Sequence, residues 1–457
     1  MTTEQNGKFG RWLKTSITAR MLMIGILILL LLIPISYINT LITERNQRQQ
    51  SVVHDISDKW GSEVLLYGPI LKIPYRTYQI ENIYDPITKQ SRKKSISSTH
   101  YAYFFPNDLD IKATINPQEK RRGIYKTAVY ESRIHIKGTF TPPDFSDKDV
   151  KENDIEWHKA RLLMETSNLK GVTNLVEIKL NANKYPLESR YTSTTHNEFR
   201  AQEVHMHQLE SKYMTKEDVP ATKSKSFELA LQINGSQQIR FVPIGKKTTV
   251  RMTSNWKTAN FVGEYLPFNE DKIKDNGFDA QWKILDMNRP FSQEAFKELP
   301  NLNFYAFGVN FMIPVDEYQK SERSVKYGFL VISLTFLIFF LLQTMSTISI
   351  HPFQYLMIGI ALTMFYTLLI SISEHSTFLK AYIIAGISVV TLISLYSKSI
   401  LKNTKFPLFI ALSLSLLYSF IFVIIQLESY ALLVGCVGLF IILAIVMYAS
   451  RKIDWDR

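Results

Sequence analysis

Apolar positions fall into two regimes along the chain. Six stretches of roughly 16 to 22 residues carry almost no charge, enough for a helix to cross a bilayer: Met21 to Leu41, Tyr327 to Met345, Phe353 to Ser373, Phe378 to Leu395, Leu408 to Leu427 and Tyr430 to Tyr448. Between the first and second lies a long polar segment in which apolar residues alternate at period two. "LKIPYRTYQI", "HYAYFF", "RIHIKGTF", "LVEIKLNA", "SFELALQI", "QIRFVPIG", "TTVRMTS" and "FYAFGVNFMIPV" all read as strands. Polar turns, with "NG" at Asn234-Gly235 as a hairpin signal, separate them. "KQSRKKS" and "SDKDVKENDIE" read as exposed loops, and "DIEWHKARLLME" as a short helix. The pattern predicts a polytopic α-helical membrane protein of six transmembrane helices, with a large, mainly antiparallel, sandwich-like β domain between helices 1 and 2.

The domain boundaries follow. Residues 1–20 form an N-terminal segment, 21–41 the first helix, 42–326 the β-rich domain, 327–448 a five-helix bundle and 449–457 a tail. Lys8, Arg11, Lys14 and Arg20 precede the first apolar run. That run is too long for a signal-peptide core and lacks a small-residue cleavage site, so it reads as an uncleaved anchor. After it, "ITERNQRQQSVVHDISDKWG" keeps a helical period and predicts an amphipathic stalk ending at Gly61.

Loop charge orients the chain. Lys398, Lys402, Lys405, Arg451, Lys452 and Arg457 join the N-terminal cations on one side, whereas the opposite turns hold Glu374 and Glu428 with only Lys380 nearby. Cations accumulate on the cytoplasmic side of a bilayer. Both termini are therefore expected in the cytoplasm and the β domain in the periplasm of a bacterial inner membrane. The formal charge of +12 is spread over the whole chain. It suits anionic lipid or envelope polymer as neighbour and gives no sign of nucleic acid. The single cysteine, Cys436, lies in the last helix, so no disulfide forms within the chain.

Candidate chemistry is sparse. On a strand, "EVHMHQ" would set Glu203, His205 and His207 on one face, where two imidazoles and a carboxylate converge on a metal or simply meet solvent. The solvated reading is the commoner one. "MTSNWKTANFVGEYLP" offers Asn255, Trp256, Phe261 and Tyr265 as a ligand shelf, although large aromatics are above all core material. His351, Glu374 and His375 sit at helix ends, where polar groups mark the membrane boundary rather than a proton relay. The chain lacks H-E-x-x-H, C-x-x-C, a P-loop and a G-x-S-x-G elbow, so no cofactor is expected. Helices two to six have no ionisable residue in their central turns, which counts against ion-coupled transport.

Several ordered blocks resemble the CreD family of inner-membrane proteins. They include "LIPISYINTLITER", "LYGPILKIPY", "EKRRGIYKTAVYESRIHIKGTF", "SNWKTANFVGEYLP", "NGFDAQW", "VDEYQKSERSVKYGFLVI", "HPFQYLMIGIALTMFYTLLISISEH" and "RKIDWD". The resemblance implies a role in cell-envelope integrity and stress, alongside the CreBC two-component system, and it brings no catalytic residues. The expected function is a non-enzymatic envelope protein whose β domain binds an envelope component or an unidentified partner. Two alternatives are a metal-dependent periplasmic hydrolase using Glu203, His205 and His207, and a transporter or flippase subunit.

Overall fold

The computed structural model describes residues 17–85, 90–146, 148, 150–190, 205–311, 317–345, 350–401, 405–427 and 430–451. The chain divides into two compact units, Met1–Gln50 with Val315–Arg457, and Ser51–Pro314.

The first unit is helical. Helix α1 (Ile17–Trp60) runs 44 residues with Pro34 inside it, and continues from the apolar run into the polar stalk without a break. Its buried residues Ile24, Leu31, Ile35, Ile38 and Ile42 recur every three, four or seven positions, forming one stripe. The other faces expose Leu22, Leu29 and Ile33, as a lipid-facing surface does. A short α2 (Glu317–Lys326) precedes α3 (Gly328–Met345), α4 (Pro352–Ser373), α5 (Phe378–Leu401), α6 (Lys405–Gln426) and α7 (Ala431–Ser450). Among the described residues, six helices are long and apolar enough to span a membrane. Close packing uses small residues: a Cβ at Gly359 of α4 would lie 2.2 Å from Leu31 Cδ1 of α1. Two buried tyrosines of the bundle make neutral hydrogen bonds. Tyr355 donates to Gln343 Oε1 at 2.9 Å, and Tyr382 to the carbonyl of Tyr418 at 2.8 Å.

The second unit is a β domain with its own hydrophobic core. One half of its sheet contains β1 (Val64–Asp85), β2 (Gln90–Phe104), β5 (Arg161–Thr166), β8 (His207–Ser211), β10 (Gln238–Phe241), β12 (Ala259–Gly263), β15 (Glu294–Phe296) and β16 (Phe307–Phe311). The other contains β3 (Asp108–Arg122), β4 (Tyr125–Phe140), β6 (Glu177–Leu180), β9 (Lys225–Ser236), β11 (Lys247–Ser254), β13 (Ile273–Lys274) and β14 (Gly277–Leu285). Strand β7 (Asn183–Ser189) pairs with β6 through Asn183–Pro186 and with β8 through Leu187–Ser189, joining the halves. Pairing is antiparallel except for β1 with β10 and β3 with β11. Alternate residues of β3, β4 and β9 enter the core, which explains their period-two pattern.

Three local expectations change. "ARLLME" is not helical: Arg161–Thr166 is the strand β5, lying between β1 and β8. Its run Leu162, Leu163, Met164 is buried on both faces, so no alternation shows, and periodicity cannot tell such a strand from a buried helix. Asn234-Gly235 is no hairpin turn but the interior of β9, opposite Tyr130 and Glu131 of β4. The glycine is there for space, because a Cβ would come within 2.4 Å of the Tyr130 hydroxyl, which donates to the Gln238 carbonyl at 2.7 Å. In "KQSRKKS", Gln90 to Ser95 belong to β2 and pair with β1.

Candidate functional site

A dense polar cluster of the β domain lies on one shared face of β1, β5 and β8. One cross-strand row runs Tyr67, Glu165, Gln208 and a second runs Tyr103, Lys72, Arg161. In a regular strand, residues five apart point to opposite faces. Tyr67 and Lys72 share a face because the register of β1 against β5 slips between Tyr67 and Ile70, a bulge of one extra residue. Gly68 at φ +138° and Pro69 occupy it. Glycine is required twice over, since a Cβ there would also lie 2.9 Å from the backbone of Met164.

Glu210 is the hub, only 5% exposed. Its Oε1 accepts from Lys72 Nζ at 2.6 Å and its Oε2 from Arg161 Nη1 at 3.0 Å, with Arg190 Nε at 3.3 Å. Burial alone would raise the pKa of this carboxyl, but the hydrogen bonds and charges of Lys72 and Arg161 prevail and hold it below the usual range. Glu165 meets the opposite outcome. Burial pushes its pKa up despite hydrogen bonds from Tyr67 and from Gln208 Nε2 at 2.8 Å. Burial and the neighbouring Glu165 also raise the Tyr67 phenol, keeping it a donor, and burial pushes Tyr103 up to about 12. Further along β1, Glu156 accepts from Arg76 Nη2 at 2.5 Å and from Lys159 Nζ at 2.8 Å.

The rim of this cluster is aromatic and open. Lys72 Nζ lies 4.5 Å from the centroid of the Tyr101 ring, and the Arg161 guanidinium 4.3 Å from that of Tyr213. The arrangement sets two carboxyl groups, with pKa values shifted in opposite directions, beside a set of convergent cations, a composition suited to recognising charge.

The residues singled out from sequence are placed elsewhere. The rings of His205 and His207 pack perpendicular at 4.8 Å, and burial followed by the charge of His205 lowers the His207 pKa. Glu203 lies outside the described residues, and among those described no group of three His, Cys, Asp or Glu could hold a metal. Phe261 meets Phe278 and Trp282 edge-on, Tyr265 meets Phe307 the same way, and Trp256 packs against the same core. Asn255 is exposed and donates to Asn116 Oδ1 at 3.2 Å. His351 caps α4, its Nδ1 accepting from the Phe353 amide at 3.2 Å. Glu374 lies at the other end of α4, 3.4 Å from Arg45 Nε of α1, and His375 is exposed beside it.

Sequence reasoning missed the Glu210 cluster. Lys72 is a polar position of the alternating "LKIPYRTYQI" and read as solvent-facing, Arg161 and Glu165 lie in the segment read as a short helix, and Glu210 lies beyond the "EVHMHQ" strand. The one available signal was "YGPILK", a Gly-Pro inside a strand pattern, which marks a bulge.

Six apolar helices and a β domain inserted after the first define a polytopic membrane protein with one large extramembrane domain. Its sequence matches the family described as Inner membrane protein CreD over residues 16–456. The chain belongs to the CreD family of inner membrane proteins. It is similar to Inner membrane protein CreD of Escherichia coli (strain K12), 28% identical over 430 residues that cover 94% of this chain and 91% of that protein.

Proposed function

We propose that this inner-membrane protein works without catalysis, its helices anchoring a periplasmic β domain that binds an envelope component or partner protein in the response to envelope stress. The observation that carries the reading is the Glu210 cluster: convergent cations, Lys72 and Arg161 set by strand pairing and Arg190 just after β7, with an aromatic rim that is half open. Rigid elements are where a recognition site gains precision. The periplasmic placement rests on the loop cations, with both termini cytoplasmic.

Two experiments test it. A reporter fused after Arg457 is expected to be active in the cytoplasm and one inserted near Glu217 in the periplasm; the reverse result removes the placement. In cells, a photo-crosslinking residue in place of Tyr213 is expected to capture a discrete species that is lost when Arg190 becomes alanine. The same adducts from Lys283, an exposed position of β14, would remove the binding reading.

A further inference from the structure

The Glu210 cluster holds more donors than its own acceptors can use. Lys72, Arg161 and Arg190 together bring about thirteen N–H donors, against about four acceptor sites on the Glu210 carboxylate. Glu165 is engaged by Tyr67 and Gln208, and Glu188, the register partner of Glu210, is exposed to water. The surplus is graded outward. The side chains of Lys72 and Arg161 are 15% and 18% exposed, whereas that of Arg190 is 53% exposed.

Beside this gradient stand two rings, Tyr101 at 41% and Tyr213 at 50% exposed. Each already carries a cation over one part of its π surface. Their remaining surface is wet, although burying apolar ring surface away from water is favourable. Guanidinium groups match phosphate and carboxylate oxygens in a planar fork. Aromatic faces match the weakly positive C–H groups on one side of a sugar ring. A purely anionic ligand would leave the rings unused, and a neutral glycan, whose hydroxyls can accept from the donors, would leave their positive charge unmatched.

We infer that the rim formed by Arg190, Arg161, Tyr213 and Tyr101 is a binding site for an anionic saccharide, a sugar bearing a phosphate or carboxylate. Arg190 and Arg161 donate to the anionic oxygens, and the two tyrosines stack on the sugar. Lys72 and Glu210 act behind them as positioning residues. This rests on the binding reading above and names the ligand class for it.

The test uses the full chain in nanodiscs of zwitterionic lipid, titrated by calorimetry with a phosphorylated disaccharide, the same disaccharide without phosphate, and inorganic phosphate. The phosphorylated disaccharide is expected to bind at least about tenfold more tightly than either of the others. Arg190→Ala should weaken it about tenfold and Tyr213→Ala measurably, with the thermal unfolding of both variants unchanged because both side chains are half exposed. The same phosphosugar is then presented as a glycolipid headgroup in vesicles. Capture of the nanodiscs by vesicles assigns a lipid-linked source, and binding of the soluble form alone a soluble glycan; both support the site. Equal binding of the neutral disaccharide, or an unchanged affinity in Arg190→Ala, overturns it. If the phosphosugar fails to bind while the Tyr213 crosslink persists and still depends on Arg190, the ligand class is wrong and the binding reading stands. Failure of both removes both.

Discussion

The two units bury polar groups under different rules. Inside the helical bundle the interior pairs are neutral, Tyr355 with Gln343 and Tyr382 with a backbone carbonyl. Inside the β domain, Glu210 is as deeply buried, yet it is a charge gripped by Lys72, Arg161 and Arg190. Taking an ion out of water costs several kcal/mol, which only cations in good geometry offset. In the bundle the surroundings are hydrocarbon and nothing supplies that offset. In the β domain Lys72, Arg161 and Glu210 come from three neighbouring strands, Arg190 follows β7, and water lies at the rim. Buried charge is therefore held in the β domain, and the bundle's polar pairs are neutral.

The comparison breaks most readily at Glu210. Glu210→Ala leaves Lys72 and Arg161 buried without their acceptor, and the expected loss is about 3–5 kcal/mol in chemical denaturation of the β domain followed in the full chain. A loss below about 1 kcal/mol would mean that the cluster is solvated like a surface pair.

In the bundle the larger effect is steric. Gly359→Leu drives a side chain into Leu31, and overpacking of this kind costs about 1–3 kcal/mol. Reduced accumulation, with loss of an engineered disulfide crosslink between α1 and α4, is the expected readout. Normal accumulation and crosslinking would show that the contact between Gly359 and Leu31 accommodates a larger side chain.

Within the cluster the two carboxylates should answer pH with opposite sign. Glu165 has its pKa raised above the reference value of 4.5 on folding, so its contribution is complete below 4.5 and is lost as pH rises through the folded value. Glu210 has its pKa lowered from 4.5, so its contribution is present above 4.5 and is lost as pH falls through the folded value. Glu165→Gln should thus gain stability relative to the parent as pH climbs past 4.5, seen as a shift between their denaturation midpoints. Parallel pH profiles would contradict the contrast.

The remaining effects are small. Tyr355→Phe leaves Gln343 without its donor and should cost about 1 kcal/mol, read as a modest drop in the bundle's melting temperature. Glu374→Gln loses the contact with Arg45, whose side chain is 44% exposed, and a pair so open to solvent contributes at most about 1 kcal/mol. His375→Asn, at an exposed position, should change accumulation least of all.

How much of this was legible in the sequence depended on how local the cause is. The spanning helices announce themselves because a bilayer imposes a continuous apolar run on each segment by itself. Strands β3, β4 and β9 follow from alternation set by one wet and one dry face, though β3 escaped notice beside its stronger neighbours. β5 did not show, since Leu162, Leu163 and Met164 are buried on both sides and carry no period. Gly235 read as a turn because the Tyr130 ring that requires it is more than a hundred residues away.

The site divides the same way. His205 and His207 were conspicuous as neighbours in sequence, and they are neighbours in space, at 4.8 Å. Lys72, Arg161, Glu165 and Glu210 were each unremarkable on their own strands. Period and charge, which act within a segment, determined the membrane class, the presence of a β domain between the first helix and the rest, and the orientation expected of it. The tertiary structure alone decided which polar faces met: one extra residue at the bulge turned Tyr67 and Lys72 to the same side, and strand order brought Glu210 to three cations from distant segments.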